Sequence, residues 1–317
     1  MRVIRLLGPR KIEIVSRPKP TIRPGEALVR MSEIAICGSD LLPYLGSQPR
    51  EYPGVDGYPA HECVGTVAES DLDGYQPGDR VLYFPLHQDG LQEYVIAAKP
   101  TQVLRLPADG NISEWMMAQL SGTIIHALRE LGTVMSDRIA VIGQGPVGQI
   151  FNHLLWNFGA HTIIAIDRVP ERLKVSPQMH ATHVLQVGKD DVVAAVHALT
   201  GGRGADVVVE ASGYDETLSM MIDLVRRDGR VLMFGMPKHL TVAYPIMQVY
   251  NKRLKMVATS GPDVELDINM ALTYIRQGRL NVKPILTHRF KLDQVQEAFE
   301  LFAERRDGCI KVVVEMQ

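Results

Sequence analysis

The sequence predicts an α/β protein in which a β-rich domain accompanies a doubly wound parallel sheet. Residues 1–118 contain short Val, Ile and Leu runs separated by Pro and Gly turns, a spacing typical of a barrel-like β domain. Residues 119–260 alternate helical patterns with nearly all-apolar runs, which favours parallel strands buried on both faces. A glycine-rich motif near the start of this second part indicates a dinucleotide site.

Size and composition narrow the class of protein. The 317 residues correspond to about two domains. The net charge of −2 argues against nucleic acid or an anionic membrane as a partner. We find neither an apolar run near the ~20 residues of a membrane helix nor the apolar core of a signal peptide. The 3 cysteines are too few for a disulfide framework, so we expect a reducing cytoplasm.

The elements of the first domain follow its turns. Pro24-Gly25 precedes an apolar run at residues 27–29, and Pro77-Gly78 precedes another at 80–83. Beyond residue 260 the pattern changes again, with helical stretches at 268–277 and 292–303 and a strand at 311–315. We assign residues 261–317 to the first domain, which makes that domain discontinuous.

The second domain begins with a strand and a glycine turn. Its predicted strands are residues 139–142, 162–166, 207–209 and 231–234. The run Gly143-Gln144-Gly145-Pro146-Val147-Gly148 directly follows the first strand and opens a helical stretch. Gly143 allows the tight turn, Gly145 lets the backbone approach a pyrophosphate, and Gly148 lets helix and strand pack closely. The N-terminus of the helix favours the phosphate charge.

An acidic residue ends the second strand of this domain. Asp167 lies 167 − 148 = 19 residues after the last glycine. A carboxylate there accepts hydrogen bonds from the ribose hydroxyls and repels a 2′-phosphate, which favours NAD over NADP. The neighbouring Arg168 is a counter-argument, since an arginine tolerates a phosphate. The alternative interpretation is a glycine-rich turn with an incidental Asp.

The first domain carries candidate metal ligands. Cys37 and His61 are 61 − 37 = 24 residues apart, and Glu62 follows directly. A thiolate, an imidazole and a carboxylate form a donor set that zinc accepts, and catalytic zinc keeps an open position beside three protein ligands. The spacing alone also fits a buried cysteine and a chance His-Glu pair. Cys63 and Cys309 are interpreted as packing residues.

In sequential order, these motifs resemble the zinc-dependent alcohol and polyol dehydrogenase branch of the medium-chain dehydrogenase/reductase superfamily. The matching stretches are spread over nearly the whole chain: residues 24–29, 36–40, 61–67, 78–81, 143–148, 204–210 and 228–231. The resemblance implies a GroES-like catalytic domain, a Rossmann domain and an active site between them. It implies NAD and one catalytic zinc ion as cofactors.

The resemblance also implies roles for individual residues. Cys37 and His61 are zinc ligands, and Glu62 is a carboxylate that can enter the metal shell. Ser39 takes the proton of the substrate, and Asp40 orients His61. In the Rossmann domain, the residues implied to contact the cofactor are Gly143, Gly145, Pro146, Val147, Gly148, Asp167, Arg168, Arg172 and Ser212.

Three departures from the family pattern affect the expected site. The third zinc ligand of the family falls at Gln119, and a neutral amide is a poor ligand. By analogy with the sugar-dehydrogenase branch, we expect Glu62 to ligate directly and Gln119 to hold a metal-bound water or lie just outside. The four-cysteine loop is absent, so no structural zinc is expected. Leu42 replaces a proton-relaying histidine, and His87 is a candidate substitute.

We therefore expect reversible oxidation of a secondary alcohol, polyol or sugar hydroxyl by NAD in a homodimer or homotetramer. The subunits are expected to pair through residues 254–259. The substrate is expected to contact Tyr44, Phe84, His87 and Gln119. Two alternatives stay open: a zinc-free quinone or enoyl reductase of the same superfamily, and a nucleotide-binding relative without catalysis.

Overall fold

The computed structural model describes residues 1–47, 51–239, 241–259 and 261–317. The strands are β1 (Arg2–Gly8), β2 (Lys11–Ser16), β3 (Ala27–Ala35), β4 (Glu62–Ser70), β5 (Arg80–Tyr83), β6 (Tyr94–Ala97), β7 (Val103–Arg105), β8 (Arg138–Ile142), β9 (Thr162–Asp167), β10 (His183–Gln186), β11 (Ala205–Glu210), β12 (Val225–Met233), β13 (Lys255–Ala258), β14 (Leu286–Lys291) and β15 (Lys311–Glu315). The α-helices are α1 (Leu41–Leu45), α2 (Ile112–Leu131), α3 (Pro146–Asn157), α4 (Pro170–Leu173), α5 (Val192–Leu199), α6 (Asp215–Leu224), α7 (Ile246–Lys252), α8 (Asn269–Arg276) and α9 (Val295–Glu304).

Two compact units divide the chain. Unit 1 comprises Met1–Gln119 and Leu286–Gln317, and unit 2 comprises Leu120–Ile285. Unit 1 contains a sheet in the order β14-β15-β3-β4-β5-β7, with β6 also paired to β3 and a separate β1-β2 hairpin. Its core combines the inward faces of these strands with α9. The predicted β-rich domain is confirmed.

Unit 2 is built on a parallel sheet of six strands in the order β10-β9-β8-β11-β12-β13. The order reverses between β8 and β11, which is the point where ligands bind in doubly wound sheets. All residues of β9 and nearly all of β8 are buried, as continuous apolar strands require. The predicted doubly wound parallel sheet is confirmed.

The predicted return to the first domain at residue 261 is wrong, because the chain returns at Leu286. A π-helix, Val264–Ile268, leads into α8 and is held against α2. Asp267 accepts hydrogen bonds from Arg129 (2.6 Å) and pairs with His126 (2.9 Å). A Cβ atom at Gly122 would lie 3.0 Å from the Ile268 Cα. These contacts keep residues 261–285 in unit 2, and no local pattern reveals them.

No helix in the described parts of the chain combines the length and the apolar character that a membrane crossing requires.

Candidate metal and dinucleotide sites

Strand pairing in unit 1 brings the predicted metal ligands together. Ala35, at the end of β3, pairs with Glu62, at the start of β4. The chain leaves β3 through Ile36 and reaches Cys37, while His61 directly precedes β4. Two ligands that are 24 residues apart in sequence therefore lie at the same end of two hydrogen-bonded strands.

Cys37, His61 and Glu62 form a compact cluster. Their ligand atoms all lie within 4.8 Å of one another. Zinc bonds of about 2.0–2.3 Å in a tetrahedron separate ligand atoms by about 3.3–3.8 Å, so a modest contraction would close the cluster on an ion. Among the described residues, this is the one group of three or more His, Cys, Asp or Glu side chains with such spacing.

Asp40 holds the imidazole of His61. Its Oδ1 atom lies 3.1 Å from His61 Nδ1, and its Oδ2 accepts a 2.8 Å hydrogen bond from the Cys37 backbone N–H. Nδ1 faces this carboxylate, although neither atom makes a bond of hydrogen-bond geometry. The ring nitrogen on the other side, Nε2, is therefore the one that suits a metal. Burial lowers the pKa of His61, but the charges of Asp40 and Cys37 outweigh burial and raise it to about 12.

Lys311 contacts the third ligand of the cluster. Its Nζ atom lies 2.6 Å from Glu62 Oε2, and both side chains have an exposed fraction of 0%. Neither carboxylate oxygen has a partner with hydrogen-bond geometry, and neither does the ammonium group; the contact is an ion pair at an oblique angle. Burial lowers the pKa of Lys311, but Glu62 and Cys37 outweigh burial and raise it above its usual value. Lys311 is therefore a buried cation beside the cluster.

The donor set fits a zinc ion. It offers sulfur, nitrogen and oxygen, the ligand types of catalytic zinc sites. Lys311 is paired with Oε2 of the fully buried Glu62 carboxylate, but Oε1 has no partner, and such buried atoms normally have a partner, a metal or a water. The raised pKa of His61 has the same physical origin, because a site rich in negative charge favours a cation.

The remaining residues predicted for unit 1 differ in their placement. Ser39 is partly exposed in the turn before α1, and Gln119 is partly buried on α2. Phe84 is partly buried and His87 exposed.

The prediction that Tyr44 contacts substrate is wrong. Its side chain is fully buried, packs on Phe299 and donates a 2.6 Å hydrogen bond to Glu300. Cys63 and Cys309 lie in the core, as predicted.

In unit 2, the glycine turn joins β8 to α3 at the reversal of strand order. Gly143 has φ +94°, a conformation that favours glycine, and a Cβ atom there would lie 3.0 Å from the Ser212 Cβ. A Cβ atom on Gly148 would lie 1.8 Å from the Gly143 carbonyl oxygen. Pro146 occupies the first turn of α3, and Gly145 to Val147 are partly exposed. The free N–H groups of this helix start suit an anion.

Asp167 ends β9 beside this turn. Its Oδ2 accepts a 2.5 Å hydrogen bond from the Gln144 N–H, and its Oδ1 accepts one of 2.8 Å from the Val169 N–H. Arg172 is largely buried on α4, with Nη1 3.5 Å from the Cβ position of Gly145. The structure thus brings the acid and the basic residue to the glycine turn.

The loop after β11 carries Ser212 and Tyr214. Ser212 donates a 2.6 Å hydrogen bond to Glu210, a fully buried carboxylate that also accepts from the Thr217 hydroxyl. Arg168 lies over the Tyr214 ring with its guanidinium carbon 4.5 Å from the centroid. Arg168 therefore points toward the loop after β11.

Sequence reasoning missed Lys311 and Glu210. Lys311 stands inside the run Cys309-Ile310-Lys311-Val312-Val313, and Glu210 ends the run Val207-Val208-Val209. A charged residue within or at the end of an apolar strand predicts a buried partner. That signal was present in both places, although it does not name the partner.

Two family models match the chain. The model described as "Alcohol dehydrogenase GroES-like domain" matches residues 23–124, and the model described as "Zinc-binding dehydrogenase" matches residues 146–275. The first lies almost wholly in unit 1 and the second in unit 2.

Curated proteins and a solved structure match over nearly the whole chain. Sorbitol dehydrogenase of Bacillus subtilis is 27% identical, covering 96% of this chain and 94% of that protein. An alcohol dehydrogenase of Cupriavidus necator is 28% identical, covering 99% and 98%. The solved structure of the alcohol dehydrogenase TADH from Thermus sp. ATN1 is 26% identical, covers 100% of both chains and superimposes with a TM-score of 0.87.

Zinc binding is predicted to release protons from this cluster. In the metal-free protein the raised pKa of His61 keeps its ring protonated near neutral pH, and a metal ligand must be neutral imidazole. Calorimetry of zinc binding in buffers of different ionisation enthalpy should show at least about one proton released per ion at pH 7.

The matched variant is Asp40→Asn, which removes one of the two charges that raise the pKa of His61. A lower pKa means fewer protons to displace, so the variant should release fewer than the unaltered protein at about pH 9, where an unperturbed histidine is neutral. Equal proton counts at that pH would contradict the assigned role of Asp40.

Proposed function

Because this chain belongs to the zinc-type alcohol and polyol dehydrogenase branch of the medium-chain dehydrogenase/reductase superfamily, we propose that it transfers a hydride between a secondary alcohol, polyol or sugar hydroxyl and NAD. The observation that carries this proposal is the convergence of Cys37, His61 and Glu62 in a chain that also has a dinucleotide turn. A metal site and a hydride carrier together are the requirements of this reaction.

The metal half of the chemistry belongs to unit 1. A bound zinc ion would supply Lewis acidity to the substrate oxygen. Cys37, His61 and Glu62 would hold the ion, and Asp40, whose Oδ1 lies 3.1 Å from His61 Nδ1, would orient the His61 ring. Ser39, two residues after Cys37 and partly exposed, is assigned the role of accepting the substrate's hydroxyl proton. Gln119 is assigned a position at the edge of this site, since its amide binds zinc poorly.

The cofactor half belongs to unit 2. The N–H groups at the start of α3 would bind the pyrophosphate, and Gly145, Pro146 and Val147 are exposed enough to be approached. Asp167 would accept from the adenosine ribose, and Arg172 and Ser212 lie beside the turn. NAD is proposed over NADP because the Asp167 carboxylate repels a 2′-phosphate. Arg168, which faces the loop after β11, is proposed as a further cofactor contact.

The substrate class is a hydroxylated small molecule. Relatives named as sorbitol dehydrogenases and L-idonate 5-dehydrogenases match 96–98% of the chain at 26–27% identity. These names support a polyol or sugar acid as readily as a simple alcohol. A panel of polyols, sugars and secondary alcohols, followed through the absorbance of the reduced cofactor, identifies the substrate. If the protein oxidises no member of the panel, the proposed function is contradicted.

A homodimer is proposed to form through β13. This strand is the edge of the unit 2 sheet, and unpaired edges readily add a strand from another chain. Beside it, α7 buries none of its residues and exposes Ile246, Met247 and Tyr250. An apolar helix face next to an open edge is typical of an interface between subunits.

Removal of the proposed thiolate ligand tests the function directly. Cys37→Ser should lose zinc and at least about 1,000-fold of turnover, because a serine hydroxyl is a weak zinc ligand. Its affinity for NADH, measured by fluorescence, should be nearly unchanged because the dinucleotide turn lies in unit 2.

The matched control is Cys309→Ser, which alters a buried cysteine of the unit 1 core and should keep its zinc. Unchanged turnover in Cys37→Ser, with activity resistant to a chelator, would instead favour a zinc-free reductase. NADH binding without turnover in the unaltered protein would favour a non-catalytic relative.

The cofactor preference is tested at Asp167. Asp167→Ser should reduce the ratio of kcat/KM for NAD to that for NADP by about 10-fold or more, because it removes the charge that repels the 2′-phosphate. The serine hydroxyl can still accept from the Gln144 or Val169 N–H, which limits the damage to the turn. A ratio that does not move means that Asp167 does not contact the ribose.

The proposed dimer is tested at the sheet edge. Met256→Asp places a charge on β13 and should shift the mass measured by light scattering toward that of one 35.2 kDa chain. The control is Val184→Asp on β10, the opposite edge of the same sheet, where the side chain is also exposed. If the mass falls toward that of one chain in Val184→Asp but not in Met256→Asp, the interface lies at β10 and not at β13.

A further inference from the structure

Lys311 is the one buried cation in contact with the metal cluster among the described residues. Its position follows from the ladder between β15 and β3. Val313 pairs with Ala35, and the Ile36 N–H donates to the Val312 carbonyl. The same register, extended past the end of β3, sets Cys37 opposite Lys311. Strand register therefore brings Lys311 to the end of β3, and its ammonium group lies 2.6 Å from Glu62 Oε2.

The backbone of Lys311 is fixed from its other side as well. The Thr287 hydroxyl on β14 donates a 3.1 Å hydrogen bond to the Lys311 carbonyl. Leu286 of β14 pairs with Lys311 in the parallel ladder. A side chain that is fully buried and anchored by neighbouring strands on both sides has little freedom to leave Glu62.

The charges of the cluster balance only when Lys311 is counted. The Cys37 thiolate and the Glu62 and Asp40 carboxylates carry three negative charges when ionised. A divalent ion supplies two positive charges, and Lys311 supplies the third. Because buried charges are costly unless they are paired, the ammonium and the ion are complementary partners of the same anionic group.

Glu62 is shared between these two cations. Its Oε2 atom is in contact with Lys311 Nζ, while the carboxylate also lies within 4.8 Å of the Cys37 and His61 ligand atoms. Neither oxygen has a hydrogen bond that would hold the carboxylate elsewhere. We propose that Lys311 is a positioning residue that competes with the metal for Glu62 and thereby limits how tightly this carboxylate binds the ion.

This inference rests on the proposed zinc site and extends it to a residue outside the ligand set. Without Lys311, the nearest cation for the buried carboxylate is the metal itself. Glu62 then binds the ion more closely, the ion is held more tightly, and its coordination number rises. Cobalt(II) reports that number, because four-coordinate sites absorb visible light more strongly than five- or six-coordinate ones.

The test uses the full chain, freed of metal with a chelator and titrated with cobalt(II) or zinc(II) alone. Lys311→Met keeps the length of the side chain and removes the charge. It should lower the Kd for either ion by about 10-fold, in the range expected for two contacting groups, and weaken the visible absorption of the cobalt protein. Lys252→Met is the control, since Lys252 donates to backbone carbonyls in unit 2.

Glu62→Gln separates positioning from a general charge effect. If Lys311 acts through Glu62, Lys311→Met should change neither Kd nor absorption in the Glu62→Gln background. An equal tightening in both backgrounds would overturn the proposal, as would an unchanged Kd and spectrum in Lys311→Met alone. The double variant removes both members of the buried pair, so it provides a folded comparison even if Lys311→Met alone is unstable.

The outcomes distinguish this inference from the proposed function. If the unaltered protein binds neither ion, or binds it independently of Cys37, the zinc site itself is refuted. If the unaltered protein binds cobalt through Cys37 while Lys311→Met binds it identically, the metal site stands and the competition by Lys311 is refuted.

Discussion

The chemistry of unit 1 depends on the pairing of β3 with β4 on one side and with β15 on the other. Ala35 pairs with Glu62 in the first ladder and with Val313 in the second. One residue thereby aligns the end of β3, the start of β4 and the C-terminal strand. A slip of a single residue in either ladder would turn the side chains of that strand to the opposite face. The separation between Cys37, Glu62 and Lys311 is thus a consequence of strand register.

The dinucleotide turn of unit 2 is held by a buried polar network and not by the hydrogen bonds between paired strands. Gln144 lies between the first two glycines and is fully buried. Its N–H donates to Asp167, and its side-chain oxygen accepts from Asn152 and Ser176. The turn is therefore tied to β9, to α3 and to the segment after α4. These hydrogen bonds hold the turn from three sides, although Asn152 Oδ1 in the same network has no partner.

The sequence predicts those features that depend on local spacing. The glycine run predicts its own turn because Gly143 needs a left-handed conformation and Gly148 needs close packing, both of which exclude other residues. The apolar runs predict the parallel strands because a strand that is buried on both faces excludes polar side chains. The substrate contact of Tyr44 and the assignment of residues 261–285 to the first domain were predicted wrongly, since these positions are set by Glu300 and by α2, partners far away in sequence. Lys311 was missed because a charged residue in an apolar strand predicts that a buried partner exists, but the sequence does not identify that partner.

The departure at Gln119 and the presence of Lys311 fit each other electrostatically. The resemblance places a third ligand, usually an anion, at Gln119. An anion there would add a fourth negative charge to Cys37, Glu62 and Asp40, one more than Lys311 and a divalent ion can balance. With an amide at that position the buried charges cancel, and Glu62 is available to replace the missing ligand.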